Sequence, residues 1–158
     1  MFNSINLIFV IYLKKLILCL LLLGGAYAVV SAKDTYAHDA SVLPEAARYV
    51  IGKNFKSKVS VVKIDKDFGR VSEYDVTLSD GTEITFDRQG NWKDVETNVN
   101  SSVPSAFYPS AVASYVKKNH SGTRVVGVEK ERRGYDVTLS NGIELKFDSQ
   151  GNFLRYDD

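Results

Sequence analysis

Cysteine is nearly absent from this chain. Its 158 residues hold one, Cys19, inside the apolar run Leu16 to Leu23. No disulfide can form within a single chain, so stability has to come from a hydrophobic core. Histidine is almost as scarce. His38 and His120 are the whole supply, and neither belongs to a Ser-His-Asp or Cys-His arrangement that would activate a nucleophile. An enzyme is therefore not expected, and His120 reads as the residue that ends a helix. Charge of one sign is lacking too, with a formal net charge of +1. A nucleic-acid partner would call for a basic face, so nucleic acid is excluded, and so is an anionic membrane surface. No dense Asp-x-Asp-x-Asp run marks a calcium loop. Gly81, Gly90, Gly142 and Gly151 follow strand-like segments instead of opening a helix onto phosphate. No cofactor and no dedicated metal site are expected.

Acidic residues are missing from the N-terminal stretch up to Asp34. That stretch carries Lys14 and Lys15, then apolar residues, then small ones, which is the order of a secretory signal. Residues 1–32 are expected to be a signal peptide cleaved after Ala32, Ala28 being the other site that fits a small-x-small rule. An uncleaved anchor is the competing reading, since Leu7 to Leu13 adds apolar length. Against it, Leu16 to Val30 falls short of the roughly 20 residues a spanning helix needs. The expected location is the periplasm or the exterior, with no membrane attachment of the mature form. Without residues 1–32 the chain keeps eighteen basic and nineteen acidic residues.

What the sequence does have is internal repetition. "YDVTLSDGTEITFDRQGNW" (Tyr74 to Trp92) returns as "YDVTLSNGIELKFDSQGNF" (Tyr135 to Phe153), thirteen of nineteen positions being identical at an offset of 61. Upstream, "PEAARYVIGKN" (Pro44 to Asn54) matches "PSAVASYVKKN" (Pro109 to Asn119) at 65. "VVKIDKD" (Val61 to Asp67) matches "VVGVEKE" (Val125 to Glu131) at 64, which assigns three extra residues to the first copy. Leu43, Ala47, Val50 and Ile51 recur at helical spacing, as do Tyr108, Val112, Tyr115 and Val116. Pro44 and Pro109 suit the first turn of each helix. Alternation with period two follows, through Val62, Ile64, Tyr74, Val76, Leu78, Ile84 and Phe86, and again through Val126, Val128, Tyr135, Val137, Leu139, Ile143, Leu145 and Phe147. Asp80-Gly81 and Asn141-Gly142 are expected to be two-residue hairpin turns. Gly90 and Gly151 are expected at left-handed positions of longer turns.

Each copy thus reads as a helix followed by four antiparallel strands. The expected fold is α+β, two tandem copies forming one eight-stranded sheet with both helices on the same face. The expected divisions are a flexible leader at 33–41, a first copy at 42–96, a linker at 97–105 and a second copy at 106–158. The free face should be polar, carrying Asp75, Thr77, Glu83, Thr85 and Asp87 from one copy. Asp136, Thr138, Glu144, Lys146 and Asp148 come from the other.

These segments together, "IDKD" or "VEKE" followed by "YDVTLS-x-G-x-E-x-x-FD-x-QGN" and an aromatic, resemble the PepSY-like, β-lactamase-inhibitor-like family of envelope proteins. The resemblance runs from Leu43 to Tyr156. It implies an exported α+β module similar in architecture to β-lactamase inhibitory proteins, whose sheet face and loops grip a partner protein. Its motifs are turn and core signatures, so no binding residues carry over.

Binding residues have to be sought where the copies differ or where polar residues face outward. Phe68 and Arg70 lie in "DFGRVSE" (Asp67 to Glu73), at a hairpin tip that the second copy replaces with Arg132 and Arg133. Aromatic and Arg side chains dominate interface hot spots. Asp75, Thr77, Asp136 and Thr138 stand on the outward face, where Asp75 and Asp136 would face each other across a joined sheet. The expected function is a non-enzymatic binding module contacting a protein or peptide through these residues. The alternative is an envelope sensor of a small ligand or cation on the same polar face.

Overall fold

The computed structural model describes residues 34–157. The signal peptide expected at 1–32 lies outside them. Nine strands form a single antiparallel sheet in sequence order: β1 (Thr35–Ala37), β2 (Val59–Asp67), β3 (Arg70–Leu78), β4 (Glu83–Asp87), β5 (Trp92–Glu96), β6 (Val125–Glu131), β7 (Gly134–Leu139), β8 (Glu144–Asp148) and β9 (Phe153–Asp157). Two ten-residue helices, α1 (Glu45–Asn54) and α2 (Ser110–Asn119), precede β2 and β6. Each follows a proline that stands at its N-cap. Lys53 closes α1, and Lys117 with Lys118 closes α2, where cations oppose the negative end of the helix dipole.

The core is one continuous apolar row. Val62, Val76, Ile84, Val95, Val128, Val137 and Leu145 stand successively opposite one another from β2 to β8, and all are buried. Ala47 and Ile51 of α1 and Val112 and Val116 of α2 belong to the same buried cluster. Because side chains alternate along a strand, sealing this face sends the intervening polar residues to the other.

Four local expectations change. Of the leader expected at 33–41, the described residues 34–41 are not loose. Thr35, Tyr36 and Ala37 pair with Ile64, Lys63 and Val62, and a short 3-10 turn at Ala40–Val42 leads to the buried Leu43. The linker is partly core, since Val103 is 2 % exposed, and just beyond it Phe107 packs edge-on against Trp92 at 5.1 Å. The loops at Gly81 and Gly142 hold three residues, because Leu78 N–H donates to Thr82 O and Leu139 N–H to Ile143 O. Only the glycines there have positive φ. That is a type I turn closed by a glycine bulge.

The fourth change concerns register. Val62 faces Val76 as Val128 faces Val137, so β2 corresponds to β6 at an offset of 66 instead of 64. A slip of two residues keeps every side chain on its own face and leaves the alternation unchanged. Both turns hold two residues, yet β2 and β3 run nine residues each against seven and six in β6 and β7. The excess comprises two added residue pairs and a bulge at Ser72, between the pairs Asp65–Glu73 and Lys66–Val71. The first hairpin therefore reaches about 7 Å farther than the second.

Gly90 and Gly151 seat the helices. A Cβ on Gly90 would lie 2.9 Å from the Ala47 nitrogen and from Pro44 Cβ, whereas one on Gly81 would meet nothing within 4 Å. Their φ values are nearly equal, at 87° and 83°. Gly81→Ala should cost about 1 kcal/mol for the left-handed backbone alone, and Gly90→Ala roughly 1–3 kcal/mol more for the clash. Urea midpoints at constant m-value measure both. Equal costs would mean that the α1 contact is not tight.

Candidate functional site

The register builds the polar face as two rows. One runs Lys63, Asp75, Thr85, Asp94, Glu129, Asp136, Lys146, Arg155 across β2 to β9, and the other runs Thr77, Glu83, Glu96, Gly127, Thr138, Glu144, Asp157 across β3 to β9. Cations stand at the flanks and acids in the middle. Lys63 contacts Asp65 at 2.8 Å, Asp75 at 3.5 Å and Asp34 at 3.8 Å. The hydrogen bond to Asp65 holds Lys63 above the usual lysine range and pulls Asp65 down. At the other flank Lys146 bridges Asp136 at 2.6 Å and Asp157 at 3.0 Å.

Between the flanks the charges do not cancel. Glu83 stands opposite Glu96, Asp94 opposite Glu129, and Glu129 opposite Asp136. Like charges placed directly across a sheet repel. Among the described residues none of Glu83, Asp94, Glu96 and Glu129 takes part in an ion pair. Burial, with the charges of Glu96 and Glu129 added, pushes the Asp94 carboxyl up to about 7. Carboxylate oxygens of Glu129, Glu131 and Asp136 also lie within 4.8 Å of one another. A hollow of about 460 Å³ opens on this face, with Tyr36, Lys63, Asp75, Thr77, Asp94 and Glu96 in its lining.

The residues singled out from the sequence fall into two groups. Asp75, Thr77, Asp136 and Thr138 do share the polar face. Asp75 and Asp136 do not face each other, however, because β4, β5 and β6 separate them by four strand spacings, about 19 Å. The halves join at β5–β6, so equivalent residues are displaced along the sheet. Asp75 is already engaged by Lys63 and by a hydrogen bond from Thr85 Oγ1 at 3.0 Å. Phe68, Arg70, Arg132 and Arg133 belong to the β2–β3 and β6–β7 tips, which lie at the same end of the meander.

Phe68 is 99 % exposed, with φ at 49°. With Gly69 at 78° it makes a two-residue turn of positive φ, where Asn, Asp or Gly is usual. Arg132 and Arg133 border a second hollow, of about 430 Å³, reaching Tyr135 and Leu154. Sequence reasoning missed Asp94, Glu96 and Glu129. The phase of Asp94 and Glu96 was legible in "WKDVE" and that of Glu129 in "VVGVEKE", but their crowding depends on the β5–β6 pairing.

Solved structures described as putative periplasmic proteins share this geometry. The family described as "Putative beta-lactamase-inhibitor-like, PepSY-like" matches residues 72–155. The fold is similar to that of a putative periplasmic protein of unknown function from Bacteroides vulgatus, 43 % identical with a TM-score of 0.73, over 80 % of this chain and 100 % of that one. It is also similar to a putative calcium-regulated periplasmic protein from Bacteroides thetaiotaomicron, 34 % identical with a TM-score of 0.71, over 79 % and 97 %. A further putative periplasmic protein from Bacteroides vulgatus is 32 % identical, with a TM-score of 0.69, over 85 % and 100 %. No curated protein matches the chain. Among the described residues no helix is long and apolar enough to cross a membrane.

Asp94 gives the site a pH signature. A carboxyl raised from 3.8 to about 7 holds its proton more tightly in the native state. It therefore removes stability as pH rises from about 4 to 7, and the loss is complete above that. Asp94→Asn should abolish this slope and raise stability at pH 8 by about 1 kcal/mol, the full shift being discounted for partial solvent screening. Denaturant midpoints at pH 4.5 and 8 check it. A variant as pH-dependent as the parent would place the strain elsewhere.

Proposed function

The chain belongs to the PepSY-like, β-lactamase-inhibitor-like family, and from that premise we propose a non-enzymatic, periplasmic binding module that takes a cationic segment of a protein or peptide on its polar sheet face. The two halves are read as tandem copies of one module, joined so that the acidic parts of both meet at β5–β6. One observation carries the proposal: the like-charge pairs Glu83–Glu96, Asp94–Glu129 and Glu129–Asp136. Such a face stores repulsion that Lys or Arg from a partner relieves, and fields of this kind also steer encounter. Phe68 supplies an apolar anchor beside the face. Its backbone strain and complete exposure fit a residue kept for contact, since Asn would fold the same turn at lower cost.

Cross-linking in the native envelope tests this reading. The partner captured by the parent protein should be lost in Asp94→Asn with Glu129→Gln, although that variant is more stable. Phe68→Asn should stabilise the hairpin by about 1 kcal/mol while weakening capture. Capture that survives both changes would remove the face and the tip from the proposal.

The same carboxylates favour a second reading, a divalent-cation sensor. Glu129, Glu131 and Asp136 offer clustered oxygens of the kind calcium takes, and the similar Bacteroides thetaiotaomicron protein is described as calcium-regulated. Under this reading millimolar calcium raises the melting temperature, and Glu129→Gln abolishes the rise. No shift with calcium would leave the cationic partner as the better account.

A further inference from the structure

β1 and β9 are the two edges of the sheet. They are not equivalent. β1 has three residues, a length that blunts an edge, whereas β9 has five and leaves its outer N–H and C=O groups without a strand partner among the described residues. Leu154 and Tyr156 of β9 are 60 % and 49 % exposed. The offset of 61 makes Asp94, Val95 and Glu96 of β5 the counterparts of Arg155, Tyr156 and Asp157. β5 is covered by β6, and Val95 is fully buried there. β9 is its counterpart, uncovered among the described residues.

Tyr156 continues the apolar row, standing opposite Leu145 on the core face. It packs edge-on against Phe153 at 5.2 Å, and Phe153 stacks on Tyr115 at 4.5 Å, so an aromatic cluster opens at the edge. Arg155 and Asp157 flank Tyr156 on the polar face, opposite Lys146 and Glu144. This order of charge, aromatic and opposite charge is complementary to itself when two strands run antiparallel.

We propose that β9 is the docking edge for a second copy of this chain. The two β9 strands pair antiparallel about a two-fold axis, Tyr156 facing the partner's Tyr156 and Arg155 facing the partner's Asp157. A two-fold axis normal to the sheet keeps the helix faces on one side and joins the polar faces into one surface. The contact is isologous and closes at two copies. Pairing β9 with the partner's β1 would be heterologous and would not stop at two copies.

Sedimentation velocity on protein purified from cells expressing the whole reading frame, over a concentration series, tests the proposal. The parent should form dimers and nothing larger. Arg155→Asp places like charges opposite each other and should weaken the dimer about tenfold or more, as should Asp157→Arg. The double variant exchanges the two charges and should restore the dimer. Tyr156→Cys in a Cys19→Ser background reads the register without altering charge and should cross-link copies on oxidation. A parent that stays monomeric, a dimer indifferent to the charge exchange, an open ladder, or a dimer that Tyr156→Cys fails to cross-link would each overturn it.

Discussion

One apolar row crossing seven strands from Val62 to Leu145 governs this protein. Two ten-residue helices cover it on one side only. With a single buried face, each residue next to a core position must look outward, and the composition of that outward face is free of packing demands. The helices are short and carry no side-chain N-caps, so their stability comes mostly from docking onto the row. Gly90 and Gly151 let the strand loops come close enough for that docking. Core, helix seats and polar face are thus consequences of one constraint.

The outward face uses that freedom unevenly. Where β8 and β9 place Lys146 and Arg155, β4 and β5 place Thr85 and Asp94. Those two differences leave one flank neutralised and the centre acidic. The strain is electrostatic and carried by the polar face, so it lowers stability at neutral pH while every residue of the apolar row stays buried.

Much of this was legible from residues alone. Alternation marked the apolar side of the strands in the repeated segments, and the repeat marked the order of a helix and four strands. Turn glycines located every hairpin in the repeated segments, although the loops at Asp80 and Asn141 proved to hold three residues. The β1 strand was hidden because "TYA" is too short to show a period. Val103 and Phe107 were hidden because burial of a connecting segment depends on what it crosses. The acidic centre was invisible for a different reason: Asp94 and Glu129 are 35 positions apart, and only the pairing of β5 with β6 brings them together. Phe68, by contrast, stood out in the sequence because the second copy has no aromatic at that tip, and it is fully exposed.

The bulge at Ser72 has an evolutionary corollary. In a half-buried sheet, adding an odd number of residues to a hairpin would turn one strand inside out. Here the first hairpin is longer by two rungs plus one bulged residue, and the core row beneath is undisturbed. Reach at the tip is therefore quantised: it grows or shrinks by whole rungs, with a bulge absorbing any remainder. A lineage can lengthen or trim this arm without repacking a single buried side chain.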